Sequence, residues 1–227
     1  PIEILLTSEE AYDVTATTLD LPSTISFEYG DEQKEEVVTW DTSAFVANKI
    51  GKQKIYGTLN NNQYVVKEIS IEVDVLPYTF IYNSTANTYT IHKYYGTETN
   101  IVVPSKFKNI FVDKLYARSF EESNDLLSIE LPDTLTYIYE FAFSGCDNLE
   151  NVYYNGTIED WCKITIVNHY SNPMCYETNL YFLDENGDVE YNGNKYSLLP
   201  NELVIPEGVT SIGSYAFYKC RNLKTIV

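Results

Sequence analysis

Two cysteines and a histidine are the residues of this sequence whose spacing first suggests chemistry. Cys162 and Cys175 flank His169, and a thiol beside an imidazole can act as a nucleophile with its base or bind a metal ion. The spacing matches no known pattern of metal ligands. Two other interpretations stay open, a disulfide between Cys162 and Cys175 or two buried free thiols, and the free thiols are the favoured one.

An acidic turn is the second place where the spacing suggests chemistry. Asp184, Asn186 and Asp188 offer alternating oxygen ligands, as in a calcium-binding loop. Such a loop needs glycine at its sixth position and glutamate at its twelfth, where this sequence has Val189 and Lys195. The sequence therefore predicts a hairpin turn with solvated carboxylates.

Motifs that carry enzyme chemistry are missing from the sequence. It contains no phosphate-binding glycine loop, no Gly-x-Ser-x-Gly elbow and no His-Glu-x-x-His helix. Only His92 and His169 could supply imidazole chemistry, and no two of the 33 acidic residues stand out as a glycosidase pair. We therefore expect no catalytic residue, no bound metal and no cofactor.

The charge of the chain narrows the classes of partner. With 33 acidic and 15 basic residues, the formal net charge is −18 at pH 7, which repels phosphate backbones and anionic lipids. No run of 18 or more apolar residues is present, so no membrane insertion is expected. The start of the chain lacks the basic and apolar regions of a signal peptide, and both ends look cut from a longer protein.

The first third of the chain has the apolar alternation of β-strands. Residues two apart are apolar while their neighbours are polar, which suits strands with one buried face; the pattern includes Ile25 and Phe27, Val38 and Trp40, and Ile69, Ile71, Val73 and Val75. Turn-forming residues separate the runs, at Tyr29-Gly30-Asp31-Glu32, near Gly51 and at Asn60-Asn61-Asn62. An all-β domain is predicted here.

Three segments of this domain carry a resemblance to a known family. They are Leu21-Pro22-Ser23-Thr24-Ile25, Val38-Thr39-Trp40-Asp41 and Ile55-Tyr56-Gly57-Thr58. The chain here resembles the bacterial immunoglobulin-like domains of secreted proteins. The resemblance implies a β-sandwich over residues 1–76 in which Trp40 belongs to the core. No cysteine precedes Cys146, so it is not the disulfide-linked antibody type.

An internal repeat organises the rest of the chain, from residue 77 onward. Residues 129–149 and 203–223 share proline, isoleucine, alanine, phenylalanine, cysteine and leucine at identical offsets. A divergent earlier copy places Phe120 at a distance of 23 residues from Phe143, within the range of leucine-rich repeats. Before these copies, the Tyr/Thr-rich residues 78–95 are typical of a hairpin.

The spacing of the repeats also predicts an insertion. Phe143 and Phe217 lie 74 residues apart, so we expect about 51 inserted residues, roughly 152–202, if one repeat is about 23 residues long. Cys146 and Cys220 occupy the same repeat position and are expected to be buried free thiols.

The segment IPEGVTSIGSYAFYKCRNLKTI at residues 205–226 closely resembles the BspA-like leucine-rich repeat family. The insertion also resembles one that recurs in that family, and the resemblance covers residues from about 100 to 227. It implies a curved solenoid over residues 77–227, on a secreted or surface-attached protein of host-associated bacteria or parasitic protists. Members of the family are associated with adhesion to host proteins or other cells.

The repeat chemistry predicts which side chains face solvent. A single repeat cannot bury its apolar face alone, so neighbouring repeats stack and share a core. Ile129 and Leu131 should then point inward, while Glu130, Tyr153 and Val204 alternate outward on the strand face. These three are the predicted ligand-binding residues, for an extracellular protein or a glycan.

Three functions remain open from the sequence. The first is a non-catalytic adhesion or protein-binding module of a bacterial surface protein. The second is a carbohydrate-binding module, which requires tyrosines in an exposed row rather than in the core. The third is a passive stalk. Because the chain stops at Val227 within a repeat, we also expect further repeats in the natural protein and self-association through the open end.

Overall fold

The computed structural model describes residues 2–8, 11–61 and 63–227. The chain divides into two compact units, Pro1–Thr79 and Phe80–Val227. Strands dominate both units, so the expectation of a mostly β protein is confirmed. Within the described ranges the one α-helix is α1 (Ile158–Lys163), which begins with a capping box between Thr157 and Asp160.

The first unit contains one five-stranded sheet. Its strands are β1 (Ile2–Thr7), β2 (Thr24–Tyr29), β3 (Glu32–Asp41), β4 (Gly51–Leu59) and β5 (Val66–Val75), in the order β1-β5-β4-β3-β2. β1 runs parallel to β5, and the other pairs are antiparallel. The first half of β3 pairs with β2 and the second half with β4, so β3 connects two parts of the sheet.

Alternating side chains build the core of the first unit. One cluster of buried residues surrounds Ile25 and Phe27, and a second surrounds Ile55 and Ile71. Trp40 is partly buried against both clusters, and its indole nitrogen donates a hydrogen bond of 2.7 Å to the carbonyl of Pro22. Of the turn predicted at Asn60-Asn61-Asn62, Asn62 lies outside the described residues.

Short strands make up the second unit. They are β6 (Tyr78–Asn83), which begins at the unit boundary, β7 (Thr88–Tyr94), β8 (Asn100–Val102), β9 (Lys106–Phe107), β10 (Ile110–Leu115), β11 (Ser128–Leu131), β12 (Tyr137–Ile138), β13 (Asn151–Tyr154), β14 (Thr165–Ile166), β15 (Asn179–Leu183), β16 (Val189–Tyr191), β17 (Asn194–Leu198), β18 (Glu202–Leu203) and β19 (Thr225–Ile226). β6 and β7 are neighbours in one sheet, as the predicted hairpin requires.

Two stacks of parallel strands form the centre of this unit. The first stack contains β7, β10, β12 and β14, and the second contains β8, β11, β13 and β15. Each strand contributes one buried aliphatic residue to a row, which is Ile91, Leu115, Ile138 and Ile166 in the first stack and Ile101, Ile129, Val152 and Leu180 in the second. Each turn of chain therefore adds one strand to each stack and one residue to each row.

The segment predicted as an insertion continues both stacks. β14 pairs with β12, and β15 pairs with β13, each in register after a step of 28 residues. The expectation that residues 152–202 interrupt the repeats is therefore wrong up to Leu183. The longer step accommodates α1, whose fully buried Trp161 donates to the carbonyl of Ala216 at 2.8 Å. Only the hairpin of β16 and β17 departs from the pattern.

All four cysteines are buried free thiols. The thiol interpretation is confirmed and the alternative disulfide between Cys162 and Cys175 is not formed. Burial raises the pKa of Cys146, Cys175 and Cys220 to about 12, and that of Cys162 rises for the same reason. These thiols are packing residues, since a reactive cysteine needs a lowered pKa.

Candidate functional site

The outer face of the second stack holds two of the three predicted ligand-binding residues. Glu130 of β11 and Tyr153 of β13 are paired in register, and Tyr181 of β15 follows Tyr153 in the same row. All three lie on the side opposite the buried row, as the alternation predicts. Glu130 and Tyr153 are nevertheless only 4% and 7% exposed.

The β16–β17 hairpin covers this face. Its Tyr191 stacks on Tyr153 with ring centroids 4.0 Å apart and planes 8° from parallel. Tyr181 stacks on the same ring at 4.8 Å, and Tyr196 meets its edge at 5.1 Å. Tyr153 therefore lies within a packed aromatic cluster.

Glu130 is enclosed by amide groups under the same hairpin. Its Oε1 accepts a hydrogen bond of 2.6 Å from Asn155 Nδ2, and its Oε2 accepts one of 2.9 Å from Asn192 Nδ2. Tyr196 completes the network by donating its hydroxyl hydrogen to Asn155 Oδ1. The prediction that Glu130 and Tyr153 are exposed is wrong, because a hairpin some 40 to 60 residues further along the chain folds over them.

Val204, the third predicted residue, lies elsewhere. It is 65% exposed and follows β18, which pairs only with β19 in a separate two-stranded sheet. The structure therefore does not bring Val204 together with Glu130 and Tyr153.

An exposed row of aromatic rings lies on the outer face of the first stack. His92, Tyr116 and Tyr139 each follow one of the buried aliphatic residues, and the ring centroids are 5.5 Å apart between His92 and Tyr116 and again between Tyr116 and Tyr139. Tyr137 lies 4.4 Å from Tyr139. We call these four residues the aromatic strip. Tyr116 is 41% exposed, so the strip is open to solvent.

Further rings lie on the turns that follow the first stack. Neighbouring centroids are 4.0 to 6.1 Å apart from Phe141 through Tyr170 and His169 to Tyr218 and Tyr215. We call these five residues the aromatic corner. A cationic side chain joins them, since the guanidinium of Arg118 lies 5.1 Å from the Phe141 centroid. Both histidines of the chain therefore belong to the strip or the corner.

The backbone at the corner adopts a conformation that the repeat imposes. Arg118, Phe141 and Tyr215 have φ angles of 61°, 59° and 63°, and each directly precedes the small residue and phenylalanine of its own repeat. This left-handed region is unfavourable for bulky residues. The bend recurs because each turn must pass from the first stack to the wall behind it, where Phe120 and Phe143 stack 5.2 Å apart.

A groove of about 480 Å³ lies between the strip and the corner. β14 forms one side and residues 211–215 of the final repeat form the other; the lining residues are Tyr137, Cys162, Lys163, Ile164, Thr165, Ile166, Val167, Ser211, Gly213, Ser214 and Tyr215. Tyr137 belongs to the strip and Tyr215 to the corner. Aromatic strip, groove and aromatic corner together form the candidate binding site.

Sequence reasoning missed this site although a signal was present. Tyr116 and Tyr139 lie 23 residues apart, at the repeat length, and each follows a buried leucine or isoleucine. Aligning the repeats at that position would have revealed the row.

Two structural searches complete the description of the site. Among the residues that the structure describes, no cluster of three or more histidine, cysteine, aspartate or glutamate side chains could hold a metal ion. No helix in that part of the chain is both long and apolar enough to span a membrane.

Comparison with protein families identifies the repeats. The family model for the BspA type leucine rich repeat region matches six copies, over residues 90–170 and 194–227. The chain belongs to this family. The resemblance seen in the sequence is thereby confirmed, and the match includes much of the segment expected as an insertion. No curated protein matches the chain significantly.

Several solved structures are similar to part of the chain. A leucine rich repeat protein of T. pallidum is 18% identical, with 66% of this chain and 68% of that one covered and a TM-score of 0.38. A leucine rich cell surface protein of Faecalibacterium prausnitzii is 27% identical, with coverages of 66% and 41% and a TM-score of 0.36. A leucine-rich repeat protein of Bacteroides capillosus is 20% identical, with coverages of 68% and 95% and a TM-score of 0.35.

Proposed function

We propose that this chain is a non-catalytic binding module of a secreted or surface-attached bacterial protein, and that it recognises a partner protein through the aromatic strip and corner. The observation that carries the proposal is the exposed row of rings, in register with the first stack. Tyrosine offers a large contact area at a small entropic cost, which is why binding surfaces are rich in it.

The surroundings of the rings support protein recognition. Tyrosine and arginine are the residues most enriched in the energetic centres of protein interfaces, and Arg118 lies against Phe141 within the corner. The proposed location rests on the family and on the description of the F. prausnitzii relative as a cell surface protein.

The two units have different roles in this proposal. The first is an immunoglobulin-like spacer and the second a leucine-rich-repeat solenoid that presents the ligand-binding surface. Support for the first role is the β-sheet with apolar clusters around Trp40. Support for the second is the pair of parallel stacks, which add one strand at each turn of the chain.

Carbohydrate binding is the second candidate, because the tyrosines of the strip are exposed. Neighbouring planes in the strip are inclined by 45° to 49° to one another. A flat sugar ring can stack on one such plane but not on two adjacent ones. A protein surface with side chains of varied shape fits the inclined rings better, which is why we favour it. A passive stalk gives no reason for an exposed row.

A binding screen tests the proposal. The chain is applied to arrayed extracellular-matrix proteins and glycans and compared with the double variant Tyr116→Ala/Tyr139→Ala. Tyr95→Ala is the matched control, since Tyr95 is exposed in the same unit but outside the strip and corner. We expect saturable binding to a protein that weakens at least tenfold in the double variant and is unchanged in the control.

Three results of the screen would count against protein recognition through the strip. Equal binding by the double variant and the parent chain would place recognition elsewhere. Binding to glycans alone would favour the carbohydrate function. An absence of binding to every arrayed molecule would favour the stalk.

A further inference from the structure

The free edge of β14 presents backbone groups to the groove. Thr165 N donates to the carbonyl of Thr136 at 3.0 Å, and Val167 N donates to that of Ile138 at 3.2 Å. Because successive residues of a strand direct their backbone groups to opposite sides, the N–H and C=O of Ile166 between them point away from β12. β14 ends the order of its sheet, so these groups face the groove.

The final repeat does not fill the position beside β14. Alignment of the repeats matches Ser211 and Ile212 to Tyr137 and Ile138 of β12. In that register Gly213 N would donate to the carbonyl of Ile166, as Val167 N does to that of Ile138. Gly213 N instead donates to the carbonyl of Cys162 at 2.8 Å, four residues earlier in the chain.

The shifted register leaves an apolar position of the stack unfilled. Ile212 is 42% exposed, whereas Ile138 at the equivalent position is fully buried. The shift is held in place at Gly213, where a Cβ atom would come within 2.5 Å of the carbonyl oxygen of Ile164. The structure therefore combines a free strand edge, a groove and an unfilled place in the aliphatic row.

We propose that this groove is a strand-addition site, in which an extended peptide segment of the partner protein pairs in parallel with β14. Its backbone bonds to Ile166, one β-branched apolar side chain takes the place next to Ile166, and its flanking side chains contact Tyr137 and Tyr215. Such pairing is a recurrent mode of peptide recognition, in which backbone bonds supply affinity and side-chain pockets supply specificity. This inference deepens the proposed protein recognition and rests on it.

The charge of the groove defines the segment that fits. Of its eleven lining residues only Lys163 is charged, and that ammonium group already pairs with Glu159 at 3.0 Å and with Asp160 at 3.3 Å. An uncharged segment therefore enters without leaving a lining charge unpaired. The partner segment is a short extended run of serine, threonine and β-branched residues.

A synthetic peptide with the sequence of residues 209–214, Val-Thr-Ser-Ile-Gly-Ser, is the probe. It is acetylated and amidated, uncharged, and by repeat alignment the natural strand for this place. Binding is followed by heteronuclear NMR and by hydrogen exchange of the Ile166 amide. We expect saturable binding that slows this exchange at least tenfold.

Two N-methylated peptides make the test specific for the backbone. Sarcosine in place of glycine removes the N–H that would donate to Ile166, and should weaken binding at least tenfold. N-methylation of the peptide isoleucine is the matched control, because that N–H points away from β14 and its loss should leave binding within about twofold. The same reduction for both peptides would overturn strand addition.

The chain's own final repeat is the rival occupant, and hydrogen exchange without peptide detects it. If the Ile166 amide is already protected as well as that of Ile138, residues 211–212 fill the place themselves and the inference fails. The variant Ser211→Trp, which fills the groove, should abolish peptide binding, whereas Ser105→Trp at an exposed site elsewhere should not.

Failure of this inference differs from failure of the proposed function. A protein found in the screen whose binding depends on Tyr116 and Tyr139 but is not reduced by saturating peptide would support the strip and overturn strand addition. Competition by the peptide, with full peptide binding retained in Tyr116→Ala/Tyr139→Ala, would support both.

Discussion

The outer faces of the two stacks carry the same chemistry and have opposite surroundings. Tyr153 on the second stack is enclosed by three other tyrosines, whereas Tyr116 at a comparable place on the first stack is open to solvent. Both residues point away from the buried rows. The difference arises from the β16–β17 hairpin, which covers one face and leaves the other free. Alternation along a strand thus determines which way a side chain points, but not what lies above it.

The largest expected effect compares these two tyrosines directly. Tyr153→Ala removes a ring packed on all sides and should lower the free energy of unfolding of the second unit by about 3 to 5 kcal/mol. Tyr116→Ala at the exposed face should change it by no more than about 0.5 kcal/mol. Urea unfolding followed by circular dichroism measures both. Equal losses would mean that the two faces do not differ in packing.

A second comparison concerns carboxylates. Glu130→Ala leaves the amides of Asn155 and Asn192 without their acceptor beneath the hairpin, at a cost of about 1 to 3 kcal/mol. Glu140→Ala is the matched control, because Glu140 is exposed on the turn beside the corner. Its effect should stay within about 0.5 kcal/mol. A stable Glu130→Ala variant with unchanged hydrogen exchange in the hairpin would show that the network does not hold the cover.

Alkaline pH offers a smaller and graded test of the covered face. Burial raises the pKa of Tyr196 to about 12 and also raises the pKa of Tyr153 and Tyr191. A phenol with a higher pKa in the folded state stabilises the fold fully below its unfolded pKa, near 10, and this contribution disappears as the pH rises through the folded value. The urea midpoint should therefore fall between pH 10 and 12.

The variant Tyr196→Phe separates this effect from the buried thiols, whose ionisation also destabilises the fold at high pH. Its midpoint should fall less steeply over the same range than that of the parent chain. Identical slopes would assign the alkaline loss to other groups.

The repeats themselves were predictable because their signal is local and periodic. Ile129 and Leu131 are fully buried as expected, the buried thiols follow from the repeat position of Cys146, and the family assignment followed from the same residues. Each of these depends on spacing within about one repeat, which the sequence displays directly.

Three features were not predictable from local spacing. The turn of chain that contains α1 was hidden because Trp161 and its neighbours replace the alanine and phenylalanine of the motif. The cover over Glu130 depends on Asn192, 62 residues later. The register of the final repeat depends on where Gly213 can approach Ile164. All three are set by tertiary packing.

The left-handed positions of the corner have a consequence for how such surfaces diversify. At Arg118, Phe141 and Tyr215 glycine would be the easiest residue for the backbone, by roughly 1 kcal/mol. Each of these positions instead carries a large side chain that projects to solvent without supporting the strands. The chain thus has one replaceable display position per repeat at a fixed pitch, so that its specificity can be rewritten by substitution there while the scaffold stays the same.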